Sequence, residues 1–197
     1  EASGLYEAQL GKEEMPQGEV HVFCGAYRAD EFEELLQYAD HIVFNSIHQL
    51  KQFGPRGKEA GKSLGLRINP QCSTQEGHAI YDPCAPGSRM GVTRDVWDKE
   101  MDEDTLALLD GLHFHTLCEQ NSDDLKTTLQ AVEEKFEDIL TGMKWLNMGG
   151  GHHITRPDYD LAALEDCIRH AQQAWGVTVY LEPGEAVALN AGYFVSR

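Results

Sequence analysis

A chain of 197 residues is long enough for one ordinary domain with a real core, since domains commonly run to roughly 100–200 residues. Its 16 basic and 33 acidic residues give a formal charge of −17, and no Lys/Arg-rich block interrupts that acidity. The balance argues against nucleic acid and anionic membrane surfaces as partners. No apolar run approaches the ~20 residues that span a bilayer.

Five cysteines (Cys24, Cys72, Cys84, Cys118, Cys167) lack the spacing of a disulfide scaffold or a paired zinc site. Free thiols in a reducing cytoplasm are the expectation. The chain opens on "EASGLYEAQLGKEEMP", with neither methionine nor the charged-then-apolar order of a signal peptide. Both ends read as cuts through a longer protein.

Taken in chain order, "GLYEAQLGKEE" reads as a helix with Leu5, Ala8 and Leu10 apolar, following a strand that ends at or before Glu1. Strand-like "EVHVFC" (19–24) precedes a helical "RADEFEELLQYAD", whose Phe32, Leu35, Leu36 and Ala39 share a face. After "HIVFNS" (41–46), Asn45 or Ser46 caps a helix striped by Ile47, Leu50 and Phe53, with Gly54 suited to its left-handed exit. "LGLRIN" (64–69) then runs into an irregular stretch, 70–95, rich in Gly, Pro and Cys, of the kind that follows strand ends at functional sites.

Beyond it lie the strand "GLHFHTL" (111–117) and a long helix capped at Asn121 or Ser122, with Asp123 and Asp124 at its positive end. Leu125, Leu129, Val132, Phe136 and Ile139 are its buried stripe. "KWLNM" (144–148), a helix with Leu161, Leu164, Ile168, Ala171 and Trp175 closing at Gly176, and "VTVYLE" (177–182) complete the alternation. Alternating strands and helices predict βαβ units and a parallel sheet. Six countable strands fit either an open doubly wound sheet or a (β/α)8 barrel missing its first strands.

In parallel α/β folds, ligands bind at the carboxyl ends of the strands, and four groups of residues fall there. Gly149, Gly150 and Gly151 follow "KWLNM" and offer backbone N–H groups to a phosphate, or else make a flexible turn. His113 and His115 alternate onto one side of their strand, as a metal pair, as core histidines, or as a ring stacked on a flat cofactor. Glu182 ends the last strand, placed to hold a protonated ring nitrogen, or simply precedes the Pro–Gly turn; Glu185 follows. Arg67, Ser88 and Arg89 supply positive charge and a hydroxyl for an anion, or structural ion pairs. His152 and His153 are open between tautomer switch, metal ligand and surface loop.

"LRINP", "APGSRMGVTR", "GLHFHTLCEQ", "LNMGGGHHIT" and "LEPGEA", in this order and spacing, closely resemble the carboxynorspermidine/carboxyspermidine decarboxylases. These are bacterial polyamine-biosynthesis enzymes of the alanine-racemase-like, fold-type III pyridoxal phosphate class. The resemblance spans essentially all 197 residues and implies a partial pyridoxal 5′-phosphate-binding (β/α)8 barrel over 1–197. It also implies a β-rich second domain, a cytoplasmic homodimer with shared active sites and a carboxylated polyamine substrate.

The same resemblance implies that His115 stacks on the pyridine face and Gly149, Gly150 and Gly151 hold the phosphate. Glu182 would bond the pyridine nitrogen, Cys118 would sit near the phosphate, and Arg67 close to the ring. The Schiff-base lysine would precede residue 1 and a catalytic cysteine would follow Arg197, leaving no catalytic residue in the segment and no metal ligand. Where the broader class carries an arginine on the phosphate, "EPGE" has Glu185, which is expected to face the cationic tail of the substrate. Two other readings are a metal-dependent hydrolase of barrel fold using His113, His115, His152 and His153, and a non-catalytic pyridoxal phosphate-binding barrel.

Overall fold

The computed structural model describes residues 1–75, 82–193 and 195–196. Six strands make one sheet: β1 (His21–Phe23), β2 (His41–Phe44), β3 (Ser63–Arg67), β4 (Gly111–His113), β5 (Trp145–Asn147) and β6 (Thr178–Tyr180). They lie side by side in chain order, and every pairing is parallel. A doubly wound sheet reverses its strand order at a switch point, and this one never does, so the barrel alternative is the one realised.

The sheet is also curled. Laid flat, β1 and β6 would stand about 24 Å apart, five steps of ~4.8 Å. Instead the Tyr180 ring of β6 lies 4.5 Å from the His21 ring of β1, and its hydroxyl donates to Glu19 at 3.2 Å. Ala2 forms a parallel bridge to Val22, with Ala2 N–H donating to the His21 carbonyl at 2.8 Å, so a seventh strand position flanks β1. That position reaches one residue further than the sequence pattern suggests.

Glycines decide how the inside of the curl is filled. A Cβ on Gly65 or on Gly111 would overlap the Trp145 indole, which lies across both strands and donates from Nε1 to Ser63 Oγ at 2.8 Å. Bare backbone at those positions makes room for one large ring. Below them Asp110, almost fully buried, accepts from Lys58, from Lys144 at 2.8 Å and from the Leu64 N–H at 3.0 Å, tying the starts of β3 and β5 together. Burial alone would raise the Asp110 pKa, but the two lysines outweigh it and hold the carboxyl below its ordinary value.

The helices follow the strands along the chain: α1 (Leu5–Glu14), α2 (Ala29–Tyr38), α3 (Ile47–Glu59), α4 (Arg94–Glu100), α5 (Glu103–Leu106), α6 (Ser122–Leu140), α7 (Leu161–Trp175) and α8 (Gly184–Ala188). Apolar stripes face the sheet as the periodicity predicts, through Phe32, Leu35 and Leu36 on α2 and Leu125 to Ile139 on α6. On α7 the inward residues are Leu164, Cys167, Ala171 and Trp175, while Leu161 at the first helical position is exposed. Gly176, at φ +70°, closes α7 as expected.

At Gly54 the structure corrects the sequence. The helix does not end there but runs through Pro55 to Glu59 and leaves at Gly61, φ +71°. A Cβ on Gly54 would lie 3.0 Å from Leu50 and Leu108 methyls, and one on Gly57 would lie 3.0 Å from Leu64. Both glycines set the closeness of α3 to β3. Ser46 is the cap, accepting from the Gln49 N–H at 3.2 Å, whereas Asn45 donates to the Arg89 carbonyl and accepts from the Gly91 N–H. No helix among the described residues is long and apolar enough to cross a membrane.

Candidate functional site

The strands are shorter than the sequence pattern suggests because their last residues leave the sheet to form a cavity. Its volume is about 880 Å³, and Arg67, His115, Cys118, Gly150, Gly151, Glu182 and Glu185 stand in its wall with Ser88 and Arg89. All lie beyond or at the carboxyl ends of β3, β4, β5 and β6, where this fold places ligands. Glu76 to Tyr81, in the irregular stretch, lie outside the described residues.

Glu182 is the electrostatic centre. Asn147 donates to its Oε1 at 2.6 Å, His113 Nε2 stands 3.3 Å from the same oxygen, and His115 Nδ1 lies 3.9 Å from Oε2. Burial would raise its pKa, but the hydrogen bonds from His113 and from Glu1, whose own carboxyl burial pushes up to about 10, hold it well below the usual carboxylate range. A buried, ionised carboxylate is therefore presented to the cavity. His113 is fully buried, stacks on Phe23 at 5.3 Å, and its pKa is lowered by that burial, so it meets Glu182 as a neutral N–H donor.

His115 shows its ring to the cavity. Burial first, and Arg67 second, push its pKa down to about 4, so the imidazole is neutral at pH 7. Its Nδ1 accepts from the Gly150 N–H at 3.4 Å, which leaves the proton on Nε2. Arg67 does not point its charge freely at a ligand: Nη2 donates to the His115 carbonyl at 2.9 Å and the guanidinium lies 4.8 Å over the Phe23 ring. It fixes the His115 backbone, and although burial lowers its pKa to about 10 it stays charged at neutral pH.

The triple glycine is threaded between the exits of β4 and β6. A Cβ on Gly149 (φ +71°) would stand 2.5 Å from the Phe114 carbonyl and 2.7 Å from His115 Cα, and one on Gly150 2.5 Å from the Glu182 carbonyl. On Gly151 (φ +80°) it would collide with the Leu117 carbonyl. The Gly149 N–H is spent on Asn147 Oδ1 at 2.8 Å. Among the described residues the Gly151 and His152 N–H groups have no acceptor, which leaves two consecutive free donors in a loop with two left-handed glycines, the composition of an anion nest, and Gly151 lines the cavity.

Two further residues complete the loop, His152, whose role the sequence left open, and Asn147, which it did not single out. The buried His152 donates from Nε2 to the Gly149 carbonyl at 3.0 Å, bracing the glycines from behind. Asn147, a polar residue inside the apolar run "KWLNM", joins Glu182 to the Gly149 N–H through one amide. Its place in that run is the one signal by which it could have been found.

Glu185, in the first turn of α8, pairs with His153 Nε2 at 3.3 Å, and Glu119 closes that group. The four histidines of the hydrolase reading therefore do not converge. His113 and His115 meet Glu182, His152 holds the glycine loop, and His153 sits between Glu119 and Glu185.

A flat phosphorylated pyridine fits these residues on three separate counts. A neutral ring face is offered by His115, an ionised carboxylate by Glu182, and free amides with two left-handed glycines by the loop.

No family model matches the chain. It is 41% identical over 194 residues to carboxynorspermidine/carboxyspermidine decarboxylase of Campylobacter jejuni, covering 98% of this chain and 49% of that one. It is 35% identical over 196 residues to carboxyaminopropylagmatine decarboxylase of a Synechocystis species, covering 99% and 49%. The crystal structure of Campylobacter jejuni carboxynorspermidine decarboxylase complexed with norspermidine superposes with a TM-score of 0.81 at 40% identity, over 95% of this chain and 46% of that one. The chain thus spans about half the length of the curated relatives it matches.

Its fold is that of the fold-type III decarboxylases, shared also with diaminopimelate decarboxylase at a TM-score of 0.69 and 16% identity. Within that class its similarity lies with the carboxynorspermidine/carboxyspermidine decarboxylases, the family its motifs resemble.

Proposed function

We propose that this chain is the cofactor-binding barrel portion of a pyridoxal phosphate-dependent decarboxylase acting on carboxynorspermidine or carboxyspermidine, working as a cytoplasmic homodimer. The observation that carries this reading is the ionised Glu182, held by Asn147 and His113 in the wall of the cavity beside the glycine loop. Pyridoxal phosphate bound there would supply the electron sink that loss of CO2 from an amino acid Cα requires.

The chain's own residues divide the work. Glu182 would hold a proton on the ring nitrogen, His115 would cover one face of the ring, and the Gly151 and His152 amides would bind the phosphate with Cys118 close by. His152 and Arg67 act at one remove, the first by fixing the glycines and the second, close to the ring, by fixing His115. Residues placed at three points around a bound ring would fix its orientation toward the substrate.

Glu185 places a carboxylate in the cavity wall, partnered only by an imidazole among the described residues. An acid there suits the cationic chain of a polyamine and not a phosphate. The complete enzyme should release CO2 and norspermidine from carboxynorspermidine. Glu185→Gln should raise KM by about tenfold, the ~1.4 kcal/mol of one charged contact, with kcat little changed. An unchanged KM would remove Glu185 from substrate binding, and no CO2 release from any carboxylated polyamine would overturn the function itself.

A further inference from the structure

At the opposite end of the sheet, away from the cavity, lies a second group of chemistry-bearing side chains that decarboxylation does not use. His21 and His41 are the first residues of β1 and β2 and register partners, their rings stacked 3.9 Å apart at 9°. Both side chains are nine-tenths buried, walled in by the edges of Trp145 and Tyr180. Each Nε2 stands 3.7 Å from the same oxygen of Glu19.

We propose that Glu19, His21 and His41 form a site for a divalent transition-metal ion of the zinc type, clipping β1, β2 and the segment before β1 together. At 3.7 Å the two imidazoles face the carboxylate beyond hydrogen-bonding distance, so the cluster is assembled but unsatisfied. His41 Nδ1 is buried with no partner among the described residues. One donor atom from each of the three residues lies within 4.8 Å of the others.

Ligands ~2.0–2.1 Å from a tetrahedral ion are about 3.3 Å from one another, so each Nε2–Oε2 distance needs to close by a few tenths of an ångström. Two imidazoles and one carboxylate are a donor set for zinc, with water in the fourth position. For both lone pairs to converge on one ion, the rings, 9° from parallel as they stand, must open out of their stack by turning about Cβ–Cγ, a broad torsion for histidine.

Glu19 is more than half exposed, which gives an ion its path in, and the Tyr180 hydroxyl on the same oxygen is the partner that orients the carboxylate.

The test uses the complete protein loaded with its cofactor, stripped of metal and titrated with Zn2+ by calorimetry and with Co2+ by visible absorption. One equivalent should bind and raise Tm. Glu19→Gln should weaken binding by about tenfold or more, and His41→Gln should abolish it. Because Glu19 is exposed, its variant folds whatever the histidine variant does, and it decides alone if His41→Gln is unstable. His48→Gln, at an exposed position of α3, should bind the ion as the parent does. Absence of stoichiometric binding, undiminished binding in Glu19→Gln, or loss of binding in His48→Gln would each overturn the site.

Discussion

Replacing Glu182 by glutamine should lower kcat of the complete enzyme by about 10²–10³-fold, the scale of losing one preorganised electrostatic contact at a reacting centre. The exchange keeps the shape and the hydrogen bond from Asn147, and removes only the charge. That charge is costly to keep where it is: burial opposes it, and His113, itself fully buried, spends its N–H on it. A fold that brings a carboxylate inside and then stabilises it as an anion has a use for the anion. The cofactor content of Glu182→Gln should remain near that of the parent, since the glycine loop and His115 are untouched. Steady-state kinetics beside a cofactor assay would separate the two effects, and a fall in kcat of less than tenfold would remove the ring-nitrogen role.

Gly151→Ala should be the most damaging single change in the loop. A residue other than glycine at φ +80° costs on the order of 1–3 kcal/mol, and here the added Cβ also meets the Leu117 carbonyl, which is backbone and has nowhere to go. The loop must shift, and with it the free Gly151 N–H. Cofactor affinity should fall by about ten- to a hundredfold and Tm should drop. Gly25→Ala, where an added Cβ meets nothing within 4 Å, should leave both unchanged. Equilibrium titration with pyridoxal phosphate and thermal melts of the two variants make the comparison. Equal behaviour of both would mean that the glycines are not the phosphate grip.

Local pattern carried a great deal of this. Apolar periodicity located α2, α6 and α7, and alternation located six strands, because a sheet buried under helices demands runs such as "HIVF" whatever the sequence around them. What local pattern could not carry was distance between elements. Gly54 reads as a helix end by composition, yet its lack of a side chain serves packing against Leu50 and Leu108, which only the fold brings alongside.

The doubly wound and barrel readings share one sequence pattern and differ in strand order, which the register and the His21–Tyr180 contact decide. In the site, His115, Glu182 and the glycines stood out because they end strands. Asn147 did not, because its partners are the Glu182 side chain thirty-five residues on and a backbone N–H, and His152 stood out with its role open, because its partner is a backbone carbonyl of its own loop. His21 and His41 are twenty positions apart, and nothing before the β1–β2 register places their rings face to face.

The central claim is that His115, the glycine loop and Glu182 together hold pyridoxal phosphate. Its most direct test is the absorption spectrum of the purified complete protein, taken before and after dialysis and treatment with borohydride. A yellow chromophore that survives dialysis and is reduced by borohydride is the result expected. A colourless protein that also fails to retain added pyridoxal phosphate on dialysis would contradict it.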